Sequence, residues 1–128
     1  MARRLTDEPQ SLLIRDPISG TLITLYYRVP TSEERVAYQT SAFRMEGQQR
    51  QLRLGETRLK FGLEILIGFA PGDFSVLRDG QEVPLDPDTD SDWKEHLGHH
   101  AADLVSFLGQ YVFEGLRVET VGSQARGE

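Results

Sequence analysis

Every histidine of the chain lies in one short stretch, as His96, His99 and His100, with Asp103 four residues beyond His99. If that stretch is helical, His96 and His100 project from one face a turn apart, beside His99 and Asp103. Imidazole and carboxylate on such a face are the ligand types of a divalent transition metal. The spacing is not the HExxH arrangement, however, and the chain has no cysteine to assist. Metal sites also draw ligands from more than one element as a rule. The plainer reading is a solvated helix face with His100 partly buried, and no metal is predicted.

A second candidate precedes it, where Asp86, Asp88, Asp90 and Asp92 alternate in a loop. That alternation resembles the opening of a calcium loop. Counting from Asp86, however, the sixth position is Ser91 where glycine is needed, and the twelfth is Leu97 where a bidentate glutamate is needed. The better use for these groups is at the start of a helix, with Asp90 or Ser91 as the cap and the neighbouring carboxylates facing its positive end. Calcium is left as the lesser alternative.

Covalent catalysis has no foothold in the residues. There is no GxSxG elbow, no phosphate-binding P-loop, no GxGxxG and no cysteine nucleophile. No enzyme is predicted, and no catalytic or cofactor-binding residue is assigned. Contact chemistry remains. Of the aromatic side chains, Tyr27, Phe61, Phe69, Trp93, Phe107 and Tyr111 are expected in the core. Tyr26 falls on the outer face of its strand and Phe113 on the far side of its helix, so these two are expected at a contact surface.

The elements that must position these groups can be read from periodicity and punctuation. Residues 11–15 and 21–29 form a β-hairpin around Asp16, Pro17 and Gly20, with Ile23, Leu25, Tyr27 and Val29 turned to the core. Pro30 ends the second strand. Thr31, Ser32, Glu33 and Glu34 then make a capping box opening a helix over 31–46, with Tyr38, Ala42 and Met45 on its inner stripe. The polar stretch 47–51, leading through Gly55, reads as a mobile linker. The most apolar run in the chain follows, and predicts a central helix over 56–69. Its two apolar faces carry Leu59, Leu63, Leu66 and Ala70 on one side and Phe61, Ile65 and Phe69 on the other, so it needs cover from both. Pro71 and Gly72 end it. Asp79-Gly80 sits between 74–78 and 81–83 as the type I′ turn of a second, smaller hairpin.

A final helix is predicted over 92–114, closed by Gly115. Trp93, Leu97, Leu104, Phe107 and Tyr111 form its apolar stripe, widened by Ala101, Val105, Leu108 and Val112. Beside it Gly98, Ala102 and Gly109 make a track of small residues where another backbone can approach, from the central helix, a second copy or a client. Gly98, Ala102, Phe113 and Tyr26 are therefore the candidate partner-binding residues.

The fold class is thus α+β, two hairpins and three helices, in one domain over 11–117 between a flexible arm (1–10) and a flexible tail (118–128). At 128 residues the chain can bury a core without staples. Its formal charge of −6 and pI of about 5.1 disfavour nucleic acid and anionic membranes as partners. The polar start argues against a signal peptide, and the apolar run at 61–70 is shorter than the roughly 20 residues of a membrane helix. With no cysteine, a soluble protein of the cytoplasm is expected.

The order of elements is similar to that of the tail assembly chaperones of long-tailed bacteriophages and prophages. The likeness rests on Gly62-Leu63-Glu64-Ile65-Leu66-Ile67-Gly68-Phe69, on Asp79-Gly80-Gln81-Glu82-Val83-Pro84 with the acidic loop after it, and on Trp93 opening the last helix. Upstream, Tyr27-Arg28-Val29-Pro30-Thr31-Ser32-Glu33-Glu34-Arg35 adds a strand leading into a capped helix, so the resemblance covers residues 26–115. The opening hairpin sets this chain apart from the more helical members. The resemblance implies a non-enzymatic protein that keeps the tape measure protein soluble and recruits tail tube subunits. Alternatives are a metal-dependent regulator or enzyme using His96, His99 and Asp103, and a homo-oligomeric structural protein of the virion.

Overall fold

The computed structural model describes residues 8–43 and 48–115. Most of the expected arm (1–7), Met45 and the tail 118–128 lie outside them. The fold is α+β, with two small antiparallel sheets and four helices among the described residues.

Strands β1 (Gln10–Arg15) and β2 (Leu22–Tyr27) form the first hairpin, in register from Gln10↔Tyr27 to Arg15↔Leu22. Gln10, expected in the arm, is its first paired residue. Asp16 organises the connection. Its carboxylate accepts from the Ile18 and Ser19 amides at 3.1 and 3.3 Å and from the Ser19 hydroxyl at 2.8 Å. That hydroxyl first, then the amides, holds the Asp16 carboxyl below its ordinary value. Gly20 supplies the positive φ, 75°, that the return requires. Ile23 and Leu25 are buried as the alternation demands, and Tyr26 points the other way.

Helix α1 (Ser32–Phe43) starts at the capping box. The Glu34 amide donates to Thr31 Oγ1 at 3.1 Å, and the Thr31 amide to Glu34 Oε1 at 2.9 Å. Glu34 does a second job: Arg28, just past the end of β2, grips it with two nitrogens at 2.7 Å each. This fork first, with the Thr31 contacts adding to it, drives the Glu34 carboxyl down to about 2.

Helix α2 runs over Gln48–Ile65 and so absorbs residues 48–55, expected as linker. Glutamine, arginine and leucine are good helix formers, and Gly55 within them is tolerated at modest expense. The predicted central helix over 56–69 is corrected at its other end as well. It stops at Ile65, and Leu66–Phe69 is strand β3, antiparallel to β2 in a sheet of order β1-β2-β3. The last carbonyls of α2 are taken by groups from elsewhere. Lys94 Nζ donates to Leu63 O at 2.6 Å, the Arg28 guanidinium to Glu64 O at 3.5 Å and the Arg28 amide to Ile65 O at 3.0 Å. Orphan carbonyls and the negative end of the helix dipole are thus met by two cations and an amide. Burial lowers the Lys94 pKa, against the pull of Glu64.

Pairing between β2 and β3 is irregular: Tyr26 faces Gly68, Tyr27 faces Leu66, and Ile67 lies between their partners. Past β3 the Asp73 carboxylate takes the Thr24 amide at 2.7 Å while the Ala70 amide donates to Thr24 O, prolonging the ladder. Strands β4 (Ser75–Arg78) and β5 (Gln81–Pro84) make the second hairpin. Asp79 and Gly80, at φ 53° and 78°, are its two central turn residues, as a type I′ turn requires.

The predicted helix over 92–114 is two helices, α3 (Trp93–His100) and α4 (Ala102–Glu114). They are separated at Ala101, whose φ of −133° leaves the helical range. The expected cap at Asp90 or Ser91 is also corrected, because α3 begins after Asp92 with no side-chain cap bond. The Asp90 carboxylate instead accepts from the Asp86 amide at 2.8 Å and pairs with Arg78 at 3.0 Å.

Helices α2 and α4 cross backbone to backbone. A Cβ on Gly62 would lie 2.4 Å from Val105 O, and one on Gly109 would lie 2.2 Å from Arg58 O. Around that crossing Ile23, Leu25, Ile65, Leu66, Leu104, Val105 and Leu108 form the main core. A second, aromatic cluster joins α1 to the far end of the crossing: Tyr38 stacks on Phe113 at 4.6 Å, and Phe61 meets both rings edge-on.

Candidate binding surface

Of the groups that opened the chemical reading, His96 pairs with Asp92 one turn back at 3.2 Å, whereas His99 and His100 are exposed. A cleft of about 480 Å³ between β4 and the break at Ala101 is bordered by His96, His100, Asp103, Asp16 and Ser75 on otherwise apolar walls. Asp16 is already engaged by its own loop. Among the described residues no group of three His, Cys, Asp or Glu is placed to hold a metal ion. Within the turn Asp86 Oδ1 accepts the Asp88 amide at 2.9 Å and Asp90 Oδ2 the Asp86 amide at 2.8 Å, while Asp90 Oδ1 is paired with Arg78.

The four residues expected to bind a partner are dispersed. Phe113 is half-buried against Tyr38 and Phe61, its ring engaged inside the molecule. Gly98 faces Leu63, where an added Cβ would sit 3.5 Å from Cδ1, and Ala102 begins α4 half-buried. The small-residue track admits α2: Gly109 receives the Arg58 carbonyl, so of the three sources of backbone considered, the central helix fills that place.

Tyr26 stands apart, 37 % exposed on the outer face of the three-stranded sheet. There it lines a groove of about 580 Å³, within the size range of ligand pockets. The floor is Tyr26, Ile67 and Gly68, and the loop 84–88 forms a wall, with Pro87 against Gly68. Pro9, Pro71, Pro84 and Pro87, four of the chain's six prolines, line it. Their fixed φ makes the walls stiff, so little freedom is lost when something settles between them. The groove's side chains suit contact rather than proton transfer, and its charged members are Asp86 and Asp88.

Two further aromatics went unnoticed as surface groups. Phe107 and Tyr111, expected in the core stripe, are 47 % and 51 % exposed on α4. Past the break at Ala101 the stripe begun by Trp93 and Leu97 stays buried only at Leu104. The buried side of α4 is Leu104, Val105, Leu108 and Gly109: Leu104 from the expected stripe, Val105 and Leu108 from the set expected to widen it, and Gly109 from the small-residue track. Nothing in the local sequence marks that break, since neither proline nor glycine stands at 101.

A scan against protein-family models finds no match, and neither the curated proteins nor the solved structures searched contain one. The likeness to tail assembly chaperones therefore stands on the quoted residues alone. No described helix is long and apolar enough to cross a membrane.

Proposed function

We propose that this chain is a non-enzymatic binding protein of the tail assembly chaperone kind, holding an aggregation-prone client, the tape measure protein, in solution and presenting it to tail tube subunits. The observation that carries the reading is the apolar groove at Tyr26, stiff-walled and open on an acidic body. A chaperone of this type needs accessible apolar contact area and enough like charge to stay dispersed while occupied. The exposed pair Phe107 and Tyr111 supplies more such area on α4. The test is co-expression with the tape measure protein encoded in the same genome. An increase in the soluble tape measure fraction, and its co-purification with this chain, is the expected result. An unchanged soluble fraction overturns the reading.

A further inference from the structure

We infer that the groove at Tyr26 takes a short apolar segment carrying a basic residue beside it, within a partner protein. This rests on the reading of the chain as a client-binding protein and adds where the client is held and what chemistry is recognised.

The floor and walls ask for an apolar side chain. Tyr26 offers a broad, rigid face of low conformational entropy. At the paired position across the strands Gly68 has no side chain, which leaves the space between Tyr26 and Pro87 open. Ile67 adds aliphatic area, 42 % exposed beside the irregular pairing. A partner that fills this space places its neighbouring residues along the loop 84–88, where the groove's charged residues, Asp86 and Asp88, are both acidic. Asp86 has one oxygen committed to the Asp88 amide, while the Asp88 carboxylate accepts no hydrogen bond from any described residue. Lysine or arginine next to the apolar side chain meets that charge, and glutamate there is repelled. The net charge of −6 draws the same class of segment from a distance.

The geometry also provides a clean way to close the site. A Cβ on Gly68 would meet only Pro87 Cγ, at 3.9 Å, an ordinary contact, and its φ is not in the left-handed region. Gly68→Val therefore fills the groove from its floor, with a residue suited to a strand and to pairing with Tyr26. Asp88→Lys reverses the recognised charge at an exposed position without touching the core.

The probes are two capped synthetic peptides, Gly-Lys-Leu-Leu-Lys-Gly and Gly-Glu-Leu-Leu-Glu-Gly, titrated into the full chain while amide chemical shifts are followed. The lysine peptide is expected to bind more tightly, with shifts centred on Ile67, Gly68 and the 84–88 loop. Gly68→Val, shown folded by its melting curve, is expected to weaken it by at least about tenfold, the loss associated with blocking a central contact. Asp88→Lys is expected to move preference toward the glutamate peptide. Equal binding of the two peptides, shifts elsewhere, or lysine-peptide binding untouched by both variants overturns the proposal. So does a concentration-dependent mass that Gly68→Val abolishes, because the occupant is then a second copy. If the folded Gly68→Val variant still solubilises the tape measure protein, the groove assignment falls and the chaperone reading stands. If the parent discriminates the peptides at the groove yet leaves the tape measure protein insoluble, the chaperone reading falls and the groove stands.

Discussion

The Arg58 carbonyl oxygen occupies the space that a side chain on Gly109 would need: a Cβ there would lie 2.2 Å from it. No flexible group can yield, because the obstacle is main chain on a helix packed across α4. Gly109→Ala is therefore expected to force the helices apart, at about 1–3 kcal/mol or more. Gly98→Ala is the matched control, meeting only Leu63 Cδ1 at 3.5 Å and gaining helix propensity of up to ~1 kcal/mol. Urea midpoints that move in opposite directions are expected. Equal destabilisation by the two would mean that the close crossing is not at Gly109.

The start of α1 should be acid-sensitive in a defined window. The Glu34 carboxyl sits at about 2 in the fold against an ordinary 4.5, held down first by Arg28. A depressed carboxylate contributes stability in full above its unfolded value, and loses it as pH falls through its folded one. Stability is therefore expected to drop between pH 4.5 and 2, and Glu34→Gln to flatten that slope. Glu114, also depressed and gripped by Arg58, keeps part of the slope in the variant. Thr31→Ala, which removes the other half of the box, is expected to cost about 1 kcal/mol at neutral pH. A wild-type urea midpoint for Thr31→Ala would place the helix start elsewhere.

Alkaline pH tests the opposite corner of α1. The buried Tyr38 hydroxyl donates to the Glu114 carboxylate, which Arg58 also holds at 2.8 and 2.9 Å. Burial first, then that carboxylate, raises the Tyr38 pKa above its ordinary 10.0. A raised folded value means stability present below pH 10.0 and lost as pH rises beyond it. Tyr38→Phe keeps the stack on Phe113 and drops the bond, so a loss of about 1 kcal/mol at neutral pH is expected, with a shallower decline above pH 10. An alkaline profile identical to the parent's would show that folding does not raise the Tyr38 pKa.

What could be read in advance was whatever depends on near neighbours. The Asp79-Gly80 turn, the Asp16–Gly20 return, the capping box and the inward face of β2 are each set by residues within a few positions of one another, and the structure has all of them. The two misread helices depend on distant partners. Residues 61–69 are apolar nearly throughout, and so short a run suits a buried helix or a buried strand equally. The choice falls at Ile65, where Arg28 and Lys94 take the helix's carbonyls and β2 offers an edge to pair with, and both lie about thirty residues or more away. The break at Ala101 is likewise tertiary: α4 must cross α2 closely at Gly62 and Gly109 while α3 keeps Trp93 against Phe69. Of the candidate site, Tyr26 was legible from strand alternation alone. Its groove was not, because the prolines that build it come from three places in the chain, at Pro9, Pro71 and the 84–88 loop.

The switch from helix to strand gives the sharpest test of this architecture, since three adjacent aliphatic residues should respond unequally. Ile65 and Leu66 are both fully buried, the first ending α2 and the second opening β3, whereas Ile67 is 42 % exposed on the groove floor. Alanine at Ile65 or Leu66 is expected to cost about 2–5 kcal/mol each. Leu63→Ala, half-buried on α2, should cost less than either. Ile67→Ala should remain within about 0.5 kcal/mol, the usual range for a surface change. Backbone carbon shifts should read helical up to Ile65 and extended from Leu66 to Phe69. Helical shifts continuing through Phe69 would restore one long central helix and detach Gly68 from Tyr26. A loss at Ile67 equal to that at Leu66 would place Ile67 inside the core and leave the groove without its floor.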